Sequence, residues 1–196
     1  MGKIYVVMGK SASGKDTIYR RLVKDKALSL KTIVTYTTRP IRLGEENGRE
    51  YYFVTEEEFE RLKEEGHMIE ARSYHTVHGI WHYFMADDGQ IDIGKSDYIV
   101  IDTLEGYEQI CAYYGKENVV PLYIEVEDGI RLERALSRER SQLEPKYAEM
   151  CRRFLADDAD FSEDNIKHAA ITKRYQNEEI EACYQELKQD ILKNQV

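Results

Sequence analysis

The sequence predicts an α/β fold in which a parallel β-sheet core is flanked by helices. Short apolar, β-rich runs alternate along the chain with stretches of helical periodicity, as in parallel sheets whose strands are joined by helical crossovers. A glycine-rich segment, GKSASGKDT at 9–17, directly follows the first apolar run. Residues 35–90 interrupt the alternation with closely spaced strand candidates, which predicts an inserted, β-rich subdomain.

The individual elements follow from local patterns. IYVVM at 4–8 reads as a buried parallel strand. Further strands are predicted at TIVTY (32–36), YYFV (51–54), DYIVID (97–102), VVPLYIEV (119–126) and AAITKRY (169–175). Helices are predicted after the glycine-rich segment, at 55–66 behind a capping box of Thr55 and Glu58, at 104–115, at 128–140, from Pro145 to about Phe161, and after Asn177 as N-cap.

Composition limits the classes of partner. The chain has 196 residues, 42% of them hydrophobic, and a formal net charge of −9. It suits one globular domain without a basic footprint for nucleic acid. The acidic net charge argues against a nucleic-acid partner. No apolar run approaches membrane-spanning length, so we expect no membrane partner either. Three widely spaced cysteines and the lack of a signal-peptide pattern predict a cytoplasmic protein with reduced thiols. The sequence leaves open whether the protein is a monomer or a homodimer.

GKSASGKDT nearly matches the phosphate-binding loop G-x-x-x-x-G-K-[ST], and it lies between a predicted strand and a predicted helix, as that motif requires. Glycines let successive backbone N–H groups surround phosphates at the helix N-terminus, and Lys15 is expected to reach the β- and γ-phosphates. The predicted nucleotide-binding residues are Gly9, Ser11, Ala12, Ser13, Gly14, Lys15, Asp16 and Thr17.

Asp16 stands where the motif has a Ser or Thr that ligates Mg²⁺. A carboxylate is also a hard oxygen ligand, so Asp16 could hold the metal. Alternatively, Asp16 is an acid of the first helical turn that the helix dipole favours. The sequence leaves both interpretations open.

A second segment, TYTTRPIRLGEENGREYYFV at 35–54, places Arg39 and Arg42 near Tyr51 in sequence, across a turn at Asn47–Gly48. Two guanidiniums and a phenol can bind a dianionic phosphate, with arginine giving forked, charge-assisted hydrogen bonds. The alternative is a solvated hairpin edge with ordinary surface arginines.

This segment is similar to the monophosphate-binding segment of the guanylate kinase family, roughly S-x-T-T-R-x-x-R-x-G-E-x-x-G-x-D-Y-x-F-V. The matching residues are Thr35, Thr38, Arg39, Arg42, Gly44, Glu45, Gly48, Tyr51, Phe53 and Val54. The order of parts also agrees, with an F-I-E motif as MIEA at 68–71, then an arginine-bearing lid and a late Asn. The resemblance implies a P-loop NTPase fold with core segments 1–34, 97–127 and 165–196, an acceptor-binding subdomain at about 35–90 and a helical lid at about 134–155.

The resemblance further implies phosphoryl transfer from ATP, with Mg²⁺, to GMP or dGMP. Thr35, Arg39, Arg42 and Tyr51 would hold the acceptor's phosphate. Glu70 would accept hydrogen bonds from guanine N1–H and the exocyclic amine; otherwise it is a plain exposed strand residue.

The remaining site residues come from the lid and the last helix. Arg134 and Arg138 resemble lid arginines and Arg153 the arginine of the following helix, the alternative being a solvated basic face. With Lys15 and Arg39 they form the predicted catalytic set. Asn177 resembles the residue that contacts the adenine of ATP, a role compatible with an N-cap.

Two positions depart from the family pattern. His78-Gly79-Ile80 stands where Tyr-Gly-Ser or Tyr-Gly-Thr is usual, which removes a hydroxyl, although His78 could donate to a phosphate. Asp102 could hold Mg²⁺ through water, touch the acceptor base, or cap the next helix. The departures keep two alternatives open: another acceptor such as ribose 1,5-bisphosphate, and a non-catalytic guanylate kinase-like binding module.

Overall fold

The computed structural model describes residues 1–76 and 79–195. Its strands are β1 (Ile4–Met8), β2 (Lys31–Thr32), β3 (Tyr36–Thr37), β4 (Tyr52–Phe53), β5 (Met68–Thr76), β6 (Gly79–Ala86), β7 (Tyr98–Ile101), β8 (Val119–Glu125) and β9 (Arg174–Gln176). Its helices are α1 (Lys15–Lys24), α2 (Glu56–Glu64), α3 (Leu104–Tyr114), α4 (Asp128–Arg140), α5 (Tyr147–Asp160), α6 (Glu163–His168) and α7 (Ile180–Asn194).

The core is a five-stranded parallel sheet in the order β2-β7-β1-β8-β9, as built from the described residues. β1 is central and pairs with β7 on one side and β8 on the other. Because parallel strands share one carboxyl edge, the loops after β1, β7 and β8 emerge together. The fold therefore confirms the predicted α/β class and brings residues 9–17 beside Asp102.

The two faces of the sheet are both buried, as expected for a parallel sheet covered by helices. Ile4, Val6 and Met8 of β1 pack into a cluster with residues of α3 and α6. Tyr5 and Val7 face the opposite way, towards α1 and α7. This period-two alternation explains why the IYVVM run is apolar throughout.

A second sheet, in the order β4-β3-β6-β5, is formed by described residues between 36 and 86. β5 and β6 make a long antiparallel hairpin, and Phe59 of α2 packs with Phe84 and Ala86 of β6 in a separate small core. Thr55 caps α2 by accepting a hydrogen bond from the Glu58 N–H, as its capping box predicts.

The structure differs from the predicted elements in several places. The predicted strand 32–36 is split, because the chain leaves the first sheet after Thr32 and enters the second at Tyr36. The first residues of the predicted strand 169–175 instead end α6, and Ala170 has a φ of 54°. The N-cap predicted at Asn177 is wrong: Glu179 occupies that position.

Candidate active site

The loop after β1 has the backbone geometry of a phosphate cradle. Gly9 passes so close to β8 that a Cβ there would lie 2.4 Å from the carbonyl oxygen of Ile124. Gly14 has a φ of 85° and precedes α1, so glycine is required for both space and conformation. Lys15 and Asp16 then begin the helix, where N–H groups are unpaired and the dipole favours anions.

Asn177 holds this cradle from the opposite end of the chain. Its Nδ2 donates to the carbonyl oxygen of Ser13 at 2.7 Å, and it is 2% exposed. A Cβ on Gly14 would lie 2.4 Å from the same Nδ2. The Ser13 hydroxyl and Asn177 Oδ1 are buried without a hydrogen-bond partner among the described residues.

Helices α4 and α5 also grip the loop, through contacts that the sequence did not suggest. The Ser11 N–H donates to Asp157 at 2.8 Å, and Lys10 Nζ donates to Asp158 at 2.6 Å. Arg131 of α4, 1% exposed, pairs with both aspartates and donates to the Ser11 carbonyl oxygen. Asp157 and Asp158 lie on the next helix, 26 and 27 residues from Arg131 in the chain. No local sequence pattern therefore predicts this pairing.

The predicted acceptor segment is organised by Glu45. Its two oxygens accept the fork of Arg39 at 2.8 and 2.6 Å, and this pairing holds the pKa of Glu45 at about 2. Arg39 is 4% exposed and its guanidinium lies 5.2 Å from the Tyr51 ring centroid. The alternative of ordinary surface arginines is thus wrong for Arg39.

Thr35, the fourth residue predicted to hold the phosphate, is half-buried just before β3, and its carbonyl oxygen accepts from the Tyr52 N–H at 2.9 Å. Burial raises the pKa of the Tyr51 hydroxyl, with Tyr83 adding to the rise. A phenol with a raised pKa stays a hydrogen-bond donor, as a phosphate ligand must.

A cavity of about 370 Å³ brings several predicted residues together. Ser11 of the cradle, Arg42 of the predicted acceptor segment, Arg138 of α4 and Arg153 of α5 all line it. Three guanidiniums from three separate segments thus face one space beside the cradle. With Lys146, these groups outnumber Glu139 and Glu149, which also line the cavity, and the positive balance favours binding of phosphorylated, anionic ligands.

Two of the predicted lid arginines have protein partners in this conformation. Arg134 donates to the backbone carbonyl oxygens of Asn177 and Glu178 at 3.0 and 3.2 Å and does not line the cavity. Arg153 lines it while donating to Glu149 at 2.8 Å. The structure therefore brings Arg138 and Arg153 to the cavity and leaves Arg134 against the loop before α7.

Glu70 lies in a buried charged cluster. It is 1% exposed, so the alternative of an exposed strand residue is wrong. Arg72 lies between Glu70 and Asp102, with Nε 3.0 Å from Glu70 Oε2 and Nη1 2.9 Å from Asp102 Oδ1. Burial, together with the nearby Asp102 charge, raises the pKa of Glu70 to about 7 against the opposing pull of Arg72. Burial likewise raises the pKa of Asp102.

Asp102 is not a helix cap. Thr103 caps α3 by accepting from the Gly106 N–H, and Asp102 Oδ1 accepts from the Thr103 N–H at 2.6 Å. Its other oxygen, Oδ2, is buried without a partner among the described residues. A Cβ on Gly106 would lie 2.2 Å from Asp102 Oδ1, so glycine lets α3 approach the carboxylate.

Asp16 is the residue that the sequence predicts as a magnesium ligand, and Thr17 follows it. Both residues are exposed in the first turn of α1. Asp16 makes no side-chain hydrogen bond or ion pair with the described residues, so its carboxylate is available to a hard cation. The same position satisfies the alternative of a first-turn acid. The prediction for His78 lies outside the described residues.

A glycine-bearing cradle on a parallel sheet, with a second arginine-rich segment facing the same cleft, defines a nucleotide-binding protein of the P-loop class. No helix within residues 1–76 and 79–195 combines the length and the apolarity that crossing a membrane would take.

Comparison with known proteins narrows this class. A family model described as guanylate kinase matches residues 1–88. A guanylate kinase from Wolbachia sp. subsp. Brugia malayi is 33% identical over 153 residues, which cover 76% of this chain and 76% of that protein. One from Anaplasma phagocytophilum is 30% identical over 172 residues, covering 87% and 73%. The crystal structure of guanylate kinase from Anaplasma phagocytophilum matches with a TM-score of 0.64 at 26% identity, covering 100% of this chain and 87% of that one.

The chain belongs to the guanylate kinase family, which confirms the resemblance drawn from its motifs. These likenesses favour neither the ribose bisphosphate acceptor nor the non-catalytic binding module.

Proposed function

We propose that this chain transfers the γ-phosphoryl group of ATP to GMP or dGMP. The observation that carries the proposal is the shared cavity, where a residue of the phosphate cradle faces Arg42, Arg138 and Arg153. The names of the relatives support the acceptor, since the proteins reported above are guanylate kinases.

The donor's phosphates would lie on residues 9–17. Backbone N–H groups of the cradle and the Lys15 ammonium would hold them, and Asn177 would keep the cradle in shape by its bond to Ser13. Asp16 is the residue that would hold Mg²⁺, and the Thr17 hydroxyl would contact the α-phosphate. The ion, when bound, neutralises phosphate charge and polarises the transferring group.

The acceptor's phosphate would lie between Arg39, Arg42 and Tyr51, with Thr35 alongside. Glu45 fixes the Arg39 fork and also accepts from the Arg42 N–H at 2.8 Å, so one carboxylate sets the shape of the loop. Arg42 makes no side-chain hydrogen bond within the described residues, which leaves its guanidinium free for a phosphate.

The chemical problem is that two anionic phosphates must meet in line. Lys15, Arg138 and Arg153 would offset the repulsion and stabilise charge on the transferring group. No general base is required, because the attacking phosphate oxygen is already ionised. We propose that residues 134–155 act as a lid and residues 35–90 as an acceptor-binding subdomain, and that their closure excludes water and limits wasteful ATP hydrolysis.

A coupled ADP-release assay with GMP, dGMP, AMP, CMP and UMP tests the proposal. We expect turnover with GMP and dGMP and little with the others, and we expect the Lys15→Ala variant to be inactive. Magnesium-dependent ATP binding without turnover of either guanine nucleotide would contradict the proposed acceptor. No binding of Mg-ATP by calorimetry would contradict the kinase activity itself.

A further inference from the structure

Four cationic side chains line the cavity of about 370 Å³ beside the phosphate cradle, and one of them, Lys146, is not among the site residues that the sequence predicts. The other three are Arg42, Arg138 and Arg153. Arg153 is paired with Glu149 at 2.8 Å. The Lys146 ammonium makes no hydrogen bond or ion pair with the part of the chain that the structure describes, so its charge is available to a ligand in this cavity.

The local position of Lys146 is unfavourable for a lysine. It is the N-cap residue of α5, and its side chain caps no backbone N–H group. N-cap positions favour short side chains that accept hydrogen bonds from the first turn, and the helix dipole repels a cation at this end. A residue that breaks local preferences in this way indicates a functional role. An anionic ligand at the same place would be attracted by the ammonium and by the helix end together.

A buried carboxylate holds Lys146 at the cavity. Glu139 of α4 is 8% exposed, and its Oε2 accepts from the Lys146 backbone N–H at 3.0 Å. Its Oε1 accepts from the side-chain amide of Gln142 at 3.1 Å. Glu139 therefore fixes both ends of the turn between α4 and α5, whereas the Lys146 ammonium takes no part in this network.

The cavity is shared by the two segments proposed to hold the nucleotides. Ser11 of the phosphate cradle lines it on the side of the donor, and Arg42 lines it on the side of the acceptor. In the proposed reaction, the terminal phosphate of ATP passes between these two segments. A lysine ammonium is a compact point charge on a flexible stem, so Lys146 can follow that phosphate as the turn closes.

We infer that the Lys146 ammonium binds the terminal phosphate of ATP, the group to be transferred, when residues 141–146 close over the cradle. Lys146 is then a catalytic residue, supplied by the turn in addition to the lid arginines. Because ADP lacks the terminal phosphate, the contact is made with ATP and not with ADP. The inference rests on the proposed function for the identity of the donor, and it is independent of the acceptor.

Calorimetric binding of ADP and of AMP-PNP, an ATP analogue that resists hydrolysis, tests this contact in the presence of magnesium. Lys146→Met keeps the approximate length of the side chain and removes its charge. We expect this variant to bind AMP-PNP about 10-fold more weakly, as for the loss of a charge-assisted hydrogen bond, and to bind ADP normally. Lys146→Arg should restore most of the loss. An unchanged ratio of AMP-PNP to ADP affinity in Lys146→Met would overturn the inference.

The matched control is Lys167→Met, at an exposed position of α6 outside the residues that line the cavity. It should bind both nucleotides as the unaltered protein does.

Steady-state kinetics with GMP separate a catalytic role from a structural one. In Lys146→Met we expect kcat to fall roughly 10²-fold, with the KM for GMP little changed. The melting temperature should stay the same, because the ammonium has no partner within the described residues. A lower melting temperature with equal losses of ADP and AMP-PNP binding would assign Lys146 a structural role and refute the inference.

The proposed function and this inference fail in different ways. If GMP and dGMP are not turned over, the proposed acceptor is wrong, and the comparison of AMP-PNP with ADP still decides the role of Lys146. If the unaltered protein binds neither AMP-PNP nor ADP, both the kinase activity and the inference are wrong.

Discussion

Asn177 and Ser13 are 164 residues apart in the chain, yet the side-chain amide of one donates to the backbone carbonyl of the other at 2.7 Å. The bond joins the turn before α7 to the phosphate cradle. It allows Asn177 to set the shape of the loop, in addition to its proposed contact with adenine.

Replacing Asn177 by Ala should therefore weaken binding of the phosphates themselves. We expect a loss of about 1–2 kcal/mol in unfolding free energy, typical of a lost buried hydrogen bond, and weaker calorimetric binding of both ATP and inorganic tripolyphosphate. Asn194→Ala, at an exposed position of α7, is the matched control. Normal tripolyphosphate binding with weakened ATP binding would limit Asn177 to an adenine contact.

Lys15→Ala should abolish phosphoryl transfer without unfolding the protein. Lys15 has no side-chain partner among the described residues, so its loss should leave the melting temperature unchanged. Removing a preorganised charge-stabilising group lowers kcat by roughly 10²–10³-fold. Lys24→Ala, in the last turn of α1, should retain full activity. Near-normal kcat in Lys15→Ala would remove Lys15 from the mechanism.

Asp16→Ser should preserve or raise activity, because it restores the hydroxyl that the motif usually has and removes a negative charge from beside the phosphates. The measurement is kcat across a magnesium titration at saturating ATP. A large fall in kcat at saturating magnesium would show that the carboxylate holds the metal in a way that a serine hydroxyl cannot replace.

The raised pKa of Glu70 predicts a pH-dependent stability. Its pKa rises from 4.5 to about 7 on folding, so the folded state binds the proton more tightly than the unfolded state. The resulting stabilisation is present below about pH 4.5 and is lost as pH rises through about 7. Between these limits the unaltered protein should lose on the order of 1–3 kcal/mol relative to Glu70→Gln, which does not titrate.

Urea unfolding at pH 5, 6, 7 and 8 checks this, with Glu64→Gln, at an exposed position of α2, as control. Arg72, Asp102 and Glu105 all act on the Glu70 carboxyl, so their charges are part of the measured effect. A constant difference between the protein and Glu70→Gln across this range would contradict the raised pKa.

Arg131→Met should be strongly destabilising. Removing one partner of a buried ion-pair network costs about 3–5 kcal/mol, and we expect about 2–4 kcal/mol because Asp128 and Asp158 are half exposed. Arg152→Met, whose side chain is 64% exposed in α5, should cost about 0.5 kcal/mol or less. Equal unfolding free energies for the two variants would show that Arg131 does not secure the loop.

Local sequence patterns predicted the fold because apolar periodicity and glycine conformation act within a few residues of one another. The alternation of apolar runs and helices gave the parallel sheet, and the glycines of residues 9–17 marked a cradle that only glycine can form at Gly9 and Gly14. The split of 32–36 between two sheets could not be foreseen, since both halves have the composition of a strand.

The site was less predictable, because its decisive contacts are long-range. No residue pattern near Arg131 predicts its ion pairs with Asp157 and Asp158. Likewise, no pattern near Asn177 predicts its hydrogen bond to Ser13. Arg72 is different: it follows Glu70 by two residues on a strand, so both side chains had to share one face. That spacing was a readable signal that the predicted base contact had a cation beside it.

The hydrogen bonds from Ser11 to Asp157 and from Lys10 to Asp158 limit which segments can move when the site closes. Asp157 and Asp158 lie near the C-terminal end of α5, so a movement of that end would also move the phosphate cradle. Freedom of movement is left to the far tip, around residues 141–146. We therefore expect closure over bound ligands to move residues 141–146, while the C-terminal end of α5 stays attached to the phosphate cradle.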